Sequence, residues 1–368
     1  MPWTQTALLF LSFTILAFLS GWIFYIFIAK RLIISPKLKI EIYKSWLFSQ
    51  DISKKIKNLT FVFITGYLIE VLDAGNLPIL SLYGVGKNIL YTEFGFPGIH
   101  GLFNSCLFVV CNILFFRQIL LPSKRRITFL IIFSLIPLIF VSRQFLLSLF
   151  IQYVFIYFLA LSGRRKPLKL FQNIKRYTRY LLTIIIAILI FGYIGDTRFS
   201  REGILSLAQP TFEYPDYLPS GLIWVYIYIA SPINNLIANC DIVEPSYLPM
   251  ELIGNLIPSF ARKLFYSITG YIRTDWYLPL ELFNVSSIHQ KFIMDFGLFI
   301  TPILYFLISY ITTAIMDISR FNPKYGLVLV VILHAIVLSF FADLLFNLVF
   351  ISQILIYIFY LPKLKFSH

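Results

Sequence analysis

The sequence predicts an all-α, polytopic integral membrane protein with about nine to eleven spanning helices. Two compositional observations and one pattern predict it. Hydrophobic residues make up 59% of the 368 residues, while only 13% are charged, about half the share of a soluble domain. No soluble fold of this size could bury so much Leu, Ile and Phe, so lipid must be the solvent. In lipid every backbone polar group needs an internal partner, which leaves helices or closed barrels. The apolar runs are continuous rather than alternating, and that selects helices.

Taken in order, the apolar runs place spans near 5–29, 58–74, 98–116, 127–142, 144–162, 180–195, 296–316, 326–341 and 345–361. Pro137 and Pro302 fall inside spans, where neighbouring helices can satisfy the freed carbonyls. Met1-Pro2-Trp3-Thr4-Gln5 carries no positive charge ahead of the first run, so that run is expected to remain as a helix rather than be cleaved. The intervening segments are sharply polarised. Segments 30–57, 117–126, 163–179, 317–325 and 362–368 hold 23 Lys or Arg against three acidic residues, whereas the rest of the chain holds 8 against 14. By the positive-inside rule the basic segments are cytoplasmic, with the N-terminus outside and the C-terminus inside. The formal net charge of +14 is thereby read as orientation and contact with anionic lipid, not as nucleic-acid binding.

Segment 196–295 is expected to form a long outer segment of a single membrane domain spanning 1–368. Inside it, Leu222–Ala230 is apolar for nine residues and runs into Ser231-Pro232-Ile233-Asn234-Asn235. A single span there would reverse the parity, so a re-entrant or interfacial element packed with 246–260 is expected, with two short extra spans as the alternative.

The residues able to carry chemistry lie mainly on the outer side. Five of its eight basic residues are Arg (Arg143, Arg198, Arg201, Arg262 and Arg273), whereas Lys predominates on the inner side. The planar guanidinium fork suits bidentate contact with phosphate or carboxylate, and the bland alternative is pairing with loop carboxylates. Arg143 stands in Val141-Ser142-Arg143-Gln144, the only break between two apolar runs, where a charge needs a partner, a ligand or room to snorkel. His289, just ahead of Asp295-Phe296-Gly297, has the proton affinity of a general base, although a lone histidine is more often structural. Asp196 and Glu202 flank Arg198 and Arg201; they are candidate bases or simple charge partners. Cys106, Cys111 and Cys240 show no disulfide or metal spacing. There is no Walker loop, GxGxxG, HExxH or serine elbow. The 18% aromatic content suits both a membrane interface and sugar stacking.

Four passages together resemble the Wzy-type O-antigen and capsule repeat-unit polymerases of bacteria. They are Gly75–Leu80 followed by Tyr91–His100; Ser142-Arg143; Gly195-Asp196-Thr197-Arg198 followed by Tyr226–Leu236; and Asn284–His289 leading to Asp295-Phe296-Gly297. The family often has a second glycine soon after Asp-Phe-Gly, where this chain has Phe299-Ile300-Thr301. The resemblance spans roughly residues 58–361. It implies an enzyme at the periplasmic face of the inner membrane that moves a growing glycan from undecaprenyl pyrophosphate onto a new lipid-linked repeat unit. The bilayer and undecaprenyl-pyrophosphate-linked oligosaccharides would be its partners, together with a chain-length regulator protein, and it would need no cofactor and no metal. On this view the five arginines hold pyrophosphate, and His289, Asp196 or Glu202 acts as base. The competing expectations are an O-antigen ligase-type transferase, a polysaccharide flippase or transporter, and a structural membrane scaffold.

Overall fold

The computed structural model describes residues 4–29, 35–87, 89, 94–161, scattered positions between 178 and 196, 200–208, 214–272, 276–279, 287–339 and 341–363. Among the described residues every regular element is a helix. Among the described residues six helical stretches are long and apolar enough to cross a membrane: Gln5–Ile28, Gln50–Ser81 (a long helix followed by a short one), Ile99–Leu120, Gln144–Leu161, Ser220–Asn239 and Ile288–Ile318. The chain is thus a polytopic helical membrane protein.

Helix α1 (Gln5–Ile28) is apolar on all sides, as expected of a helix surrounded by lipid and protein. It runs parallel to α12 (Ile288–Ile318): Phe10 meets His289 edge to face, while Phe24 and Tyr25 meet Tyr310. Gly21 makes the close crossing, since a Cβ there would sit 2.3 Å from the Phe306 carbonyl oxygen. Small residues at such crossings let backbones approach, which is the main source of helix association in lipid.

Within the basic segment 30–57, residues 36–47 and 50–57 are helical, which the apolar pattern did not disclose. Pro36 at the first turn and the Ser35 hydroxyl, accepting from the Leu38 N–H, start α2 (Pro36–Leu47). Its Tyr43, Trp46 and Leu47 are buried, whereas Lys37 is exposed and Lys39 lies half-buried over the Tyr43 ring. Ser49 then caps α3 (Gln50–Ala74), which begins eight residues before its apolar run. Gly75, in the left-handed region at φ 73°, ends it.

The short α4 (Pro78–Leu82) precedes α5 (Ile99–Leu120), the most enclosed of the six long helices. Helices α3, α6 (Lys124–Ile139), α7 (Arg143–Leu161) and α14 (Leu348–Tyr360, its last turn a π-helix) pack around α5. α13 (Pro323–Val337) packs against α7 and α12. The expected span 180–195 is helical at each of its described positions.

Cross-links sort the connections into two ends. At one end Tyr43 donates to the Ser319 carbonyl, Trp46 to Pro362, Lys324 to Ile358 and Arg117 to Leu47. The basic segments around 30–57, 117–126, 317–325 and 362 therefore meet at that end. At the other end Gly98 abuts Pro258, Asn255 bonds to Asp343, and Tyr83 lies beside Tyr193.

This second, loop-rich end also carries α8 (Arg201–Ala208), α9 (Ser220–Asn239), α10 (Met250–Leu256) and α11 (Ser259–Thr269). The apolar run expected to stop before Ser231-Pro232 instead continues as helix for 20 residues. Proline is tolerated there because the bundle, rather than the local ladder alone, satisfies the backbone. Although α9 is long enough to cross a membrane, it starts beside Gly192, Gly195 and Asp196 and ends against Ala7, Phe10 and Ile293. Both contacts lie at the loop-rich end, so α9 runs across the bundle there.

Candidate functional site

Two clusters of titratable side chains are built at the loop-rich end. The first is assembled from α3, the loop before α5, and the α6–α7 corner. Glu70, in the last part of α3, is 1% exposed, and a carboxylate placed so deeply must be fully paired. One oxygen accepts the Phe96 N–H at 3.0 Å and the other contacts His100 Nδ1 at 2.7 Å. The Gly95 backbone, at φ 88°, makes room for this pair: a Cβ would lie 2.7 Å from His100 Nδ1 and 3.0 Å from Glu70 Oε1. Asn104 donates to the His100 carbonyl and accepts from the Tyr67 hydroxyl at 2.8 Å, fixing the first turn of α5. Phe140 stacks on Phe94 at 4.8 Å and meets the His100 ring edge to face at 5.7 Å. The His100 side chain keeps 21% exposure, so it is not fully enclosed.

Phe140 ends α6, and the chain reverses within Val141-Ser142. Ser142 N–H reaches back to the Pro137 carbonyl, and Val141 adopts φ 57°. A left-handed conformation is costly for a β-branched residue, and the packed corner imposes it. The corner makes Arg143 the first residue of α7, three residues from the phenyl ring that covers His100.

The second cluster locks the later loops onto α12. Asp295 is completely buried, and its two oxygens accept the Glu251 and Leu252 N–H groups at 2.9 Å each, so it caps α10 from a distance. Lys291 pairs with Asp343 at 3.2 Å; Asp343 also accepts from Asn255 and from the Phe346 N–H. Arg262 donates from Nε to the Gly254 carbonyl at 2.5 Å. Its cations are balanced by Glu251, Asp295 and Asp343, so the cluster is a clamp rather than a ready anion site. The two clusters are neighbours. Gly98 touches Pro258, just ahead of α11, and Ser105 donates to the Val349 carbonyl beyond the Asp343 loop.

A comparison with protein-family models, curated proteins and solved structures finds no match for this chain. The family resemblance therefore stands on the four sequence passages alone.

The structure places the residues singled out from sequence as follows. His289 is 3% exposed, bonded through Nδ1 to the Tyr305 hydroxyl at 2.8 Å and packed on Phe10. Asp196 accepts from the Ser220 hydroxyl and, at 3.1 Å, from Trp224 Nε1, which ties the chain at Asp196 to α9. Glu202 is exposed; hydrogen bonds from its own N–H and from Ser200 hold its carboxyl below the usual range. Arg201 donates to the Leu218 and Pro215 carbonyls at 2.8 and 2.9 Å and lies over the Tyr214 ring, so it organises the loop before α9. Arg262 belongs to the clamp, and the described hydrogen bonds and ion pairs do not join it to Arg201. Arg198 and Arg273 lie outside the described residues, and for Arg143 the backbone alone is described. Among the described residues no group of three or more His, Cys, Asp and Glu gathers to hold a metal.

Sequence reasoning passed over Glu251 and Asp343, and it did not pair Glu70 with His100. Pairs this far apart in the chain leave no local spacing. The available signal was an acidic residue at the margin of an apolar run, as with Glu70 and Asp343.

The loop-rich end also holds a cavity of about 120 Å³ beside α9, lined by Leu207, Ala208, Tyr226, Ser231, Asn234 and Pro279. An aromatic ring, amides and a hydroxyl around a small cleft are the groups that bind sugar rings.

Proposed function

We propose that the chain is a glycosyltransferase that polymerises undecaprenyl-pyrophosphate-linked oligosaccharide repeat units at the periplasmic face of a bacterial inner membrane, in O-antigen or related surface-polysaccharide synthesis. One observation carries the reading. The family-like passage 94–100 packs through Phe94 and His100 against Phe140, which lies at the α6–α7 corner two residues ahead of the passage 142–143, far away in sequence. A third, around Asp196 and Tyr226–Asn235, lies at the same end and lines the cleft. A reaction between two lipid-anchored substrates needs such a site at the end of a helical bundle. There the polyprenyl tails stay in lipid while sugars and pyrophosphate reach polar side chains. The sharp segregation of Lys and Arg to the opposite end supports a periplasmic location for this one.

Arg143, followed by Arg198 and Arg273, is assigned to the pyrophosphate; Arg201 and Arg262 hold loops. The test is purified protein in lipid vesicles given undecaprenyl-pyrophosphate-linked repeat units, with the products separated by size. A ladder of chain lengths with release of undecaprenyl pyrophosphate is expected. Unchanged single repeat units, with correctly folded protein, would refute the proposal. Transfer of glycan to a different lipid acceptor without any ladder would favour a ligase.

A further inference from the structure

We propose that His100 is the general base of the transfer and that Glu70 is its positioning residue. This inference rests on the polymerase reading and sharpens it. The geometry has four parts. Glu70 is buried and both its oxygens are engaged, one by the Phe96 N–H and one by His100 Nδ1. A carboxylate at 2.7 Å from Nδ1 makes that nitrogen the donor and leaves Nε2 of the neutral ring as the acceptor. The ring is held on its sides by Tyr67, Phe94 and Phe140, yet the side chain retains 21% exposure. Gly95, at φ 88°, leaves no Cβ where the pair must fit. A histidine merely filling the core would need neither a buried carboxylate on one nitrogen nor residual exposure. By contrast His289 is enclosed by Phe10 and Tyr305.

In the proposed step His100 Nε2 takes the proton of a sugar hydroxyl on the acceptor repeat unit. The acceptor oxygen bonds to the anomeric carbon of the donor glycan. The bond from that carbon to the pyrophosphate oxygen breaks, and its electron pair leaves with undecaprenyl pyrophosphate. His100 then returns its proton to solvent. Arg143, which begins the helix directly after the corner carrying Phe140, is the candidate cation assigned to meet the leaving charge.

The experiment uses the full-length protein in vesicles with undecaprenyl-pyrophosphate-linked repeat units, with kcat and KM taken from the ladder. His100→Gly should lower kcat by about 10²–10⁴ with little change in KM, the contribution typical of general-base catalysis. Added imidazole should restore part of that rate, because the lost group is a base and its slot is open. Glu70→Gln, close in shape, should lower kcat without rescue by imidazole. The base assignment is overturned if His100→Gly elutes and melts like wild type and keeps its kcat, if imidazole fails to restore it, or if imidazole rescues His289→Gly instead. Should His100→Gly fail to fold, Glu70→Gln decides: a wild-type kcat there overturns the assignment. If the wild-type protein forms no ladder, the polymerase reading falls and the base assignment with it. A ladder from wild type with unaffected variants overturns the base assignment alone.

Discussion

Replacing Asp295 with Ala should release α10 from the bundle while leaving the helices around α5 intact. Asp295 is completely buried and accepts two backbone N–H groups, those of Glu251 and Leu252, at 2.9 Å each. A hydrogen bond to a charged group contributes about 1.5–3 kcal/mol, and a buried N–H left without a partner costs a comparable amount. Two such bonds give about 3–6 kcal/mol. Glu251, itself buried, repels the Asp295 carboxylate, and losing that repulsion brings the net cost toward about 3 kcal/mol. This corresponds to about a hundredfold faster exchange of the α10 amides, since ~1.4 kcal/mol is a factor of ten. The assay is hydrogen–deuterium exchange of purified protein in detergent, read on peptides covering 250–257 and, as control, 101–116. Asp295→Asn, keeping one acceptor oxygen, should fall between wild type and Asp295→Ala. Wild-type exchange of 250–257 in Asp295→Ala would refute the idea that this carboxylate holds the loop-rich end together.

Four further outcomes follow from the same contacts. Cysteines placed at Lys87 and Asp216, both exposed at the loop-rich end, should react with a membrane-impermeant maleimide in intact spheroplasts, and one at Lys363 only after permeabilisation; the reverse pattern would invert the orientation. Gly21→Val should lower the melting temperature and the yield of folded protein, because its side chain would collide with the Phe306 carbonyl; unchanged melting would place α1 elsewhere. Gln353→Leu should destabilise the protein by about 1–2 kcal/mol in detergent unfolding, the scale of a hydrogen bond between membrane helices, because Gln353 is hydrogen-bonded to Gln152 and Tyr357 at the centre of the bundle; a neutral result would make that network dispensable. Arg201→Ala should expose 214–219 to limited proteolysis while Arg201→Lys does so less, and equal resistance in all three proteins would remove the arginine from its proposed role in ordering the loop.

Much of the helical framework was legible because a span must be apolar for most of its length. The expected runs 98–116 and 144–162 correspond to α5 and α7 within a few residues. Helix extensions beyond the apolar zone were not legible, because outside lipid the helix is held by caps and tertiary contacts rather than by hydrophobicity. α2 is such a case, built on Ser35, Pro36 and the buried face of Tyr43, Trp46 and Leu47. The helical turns around His289, which Gly297 at φ 73° separates from the apolar part of α12, are another. Pro232 misled in the opposite direction: its ring suggests a break, but the inward-facing Asn235 and Asn239 continue the helix, with Asn239 exchanging hydrogen bonds with Tyr277. Sequence marked Arg143 and His289 as chemically meaningful, and the structure encloses His289 between Phe10 and Tyr305. Sequence could not pair Glu70 with His100 or Lys291 with Asp343, since only the packing of separate helices brings them together.

The most direct measurement is the glycan profile of the host bacterium after deletion of this chain. Lipid-linked and surface glycans should stop at a single repeat unit, with that unit still attached to its carrier or final acceptor, and plasmid-borne wild type should restore the full range of lengths. Surface polymer of normal length in the deletion strain, or complete loss of attached glycan including the single unit, would contradict the account.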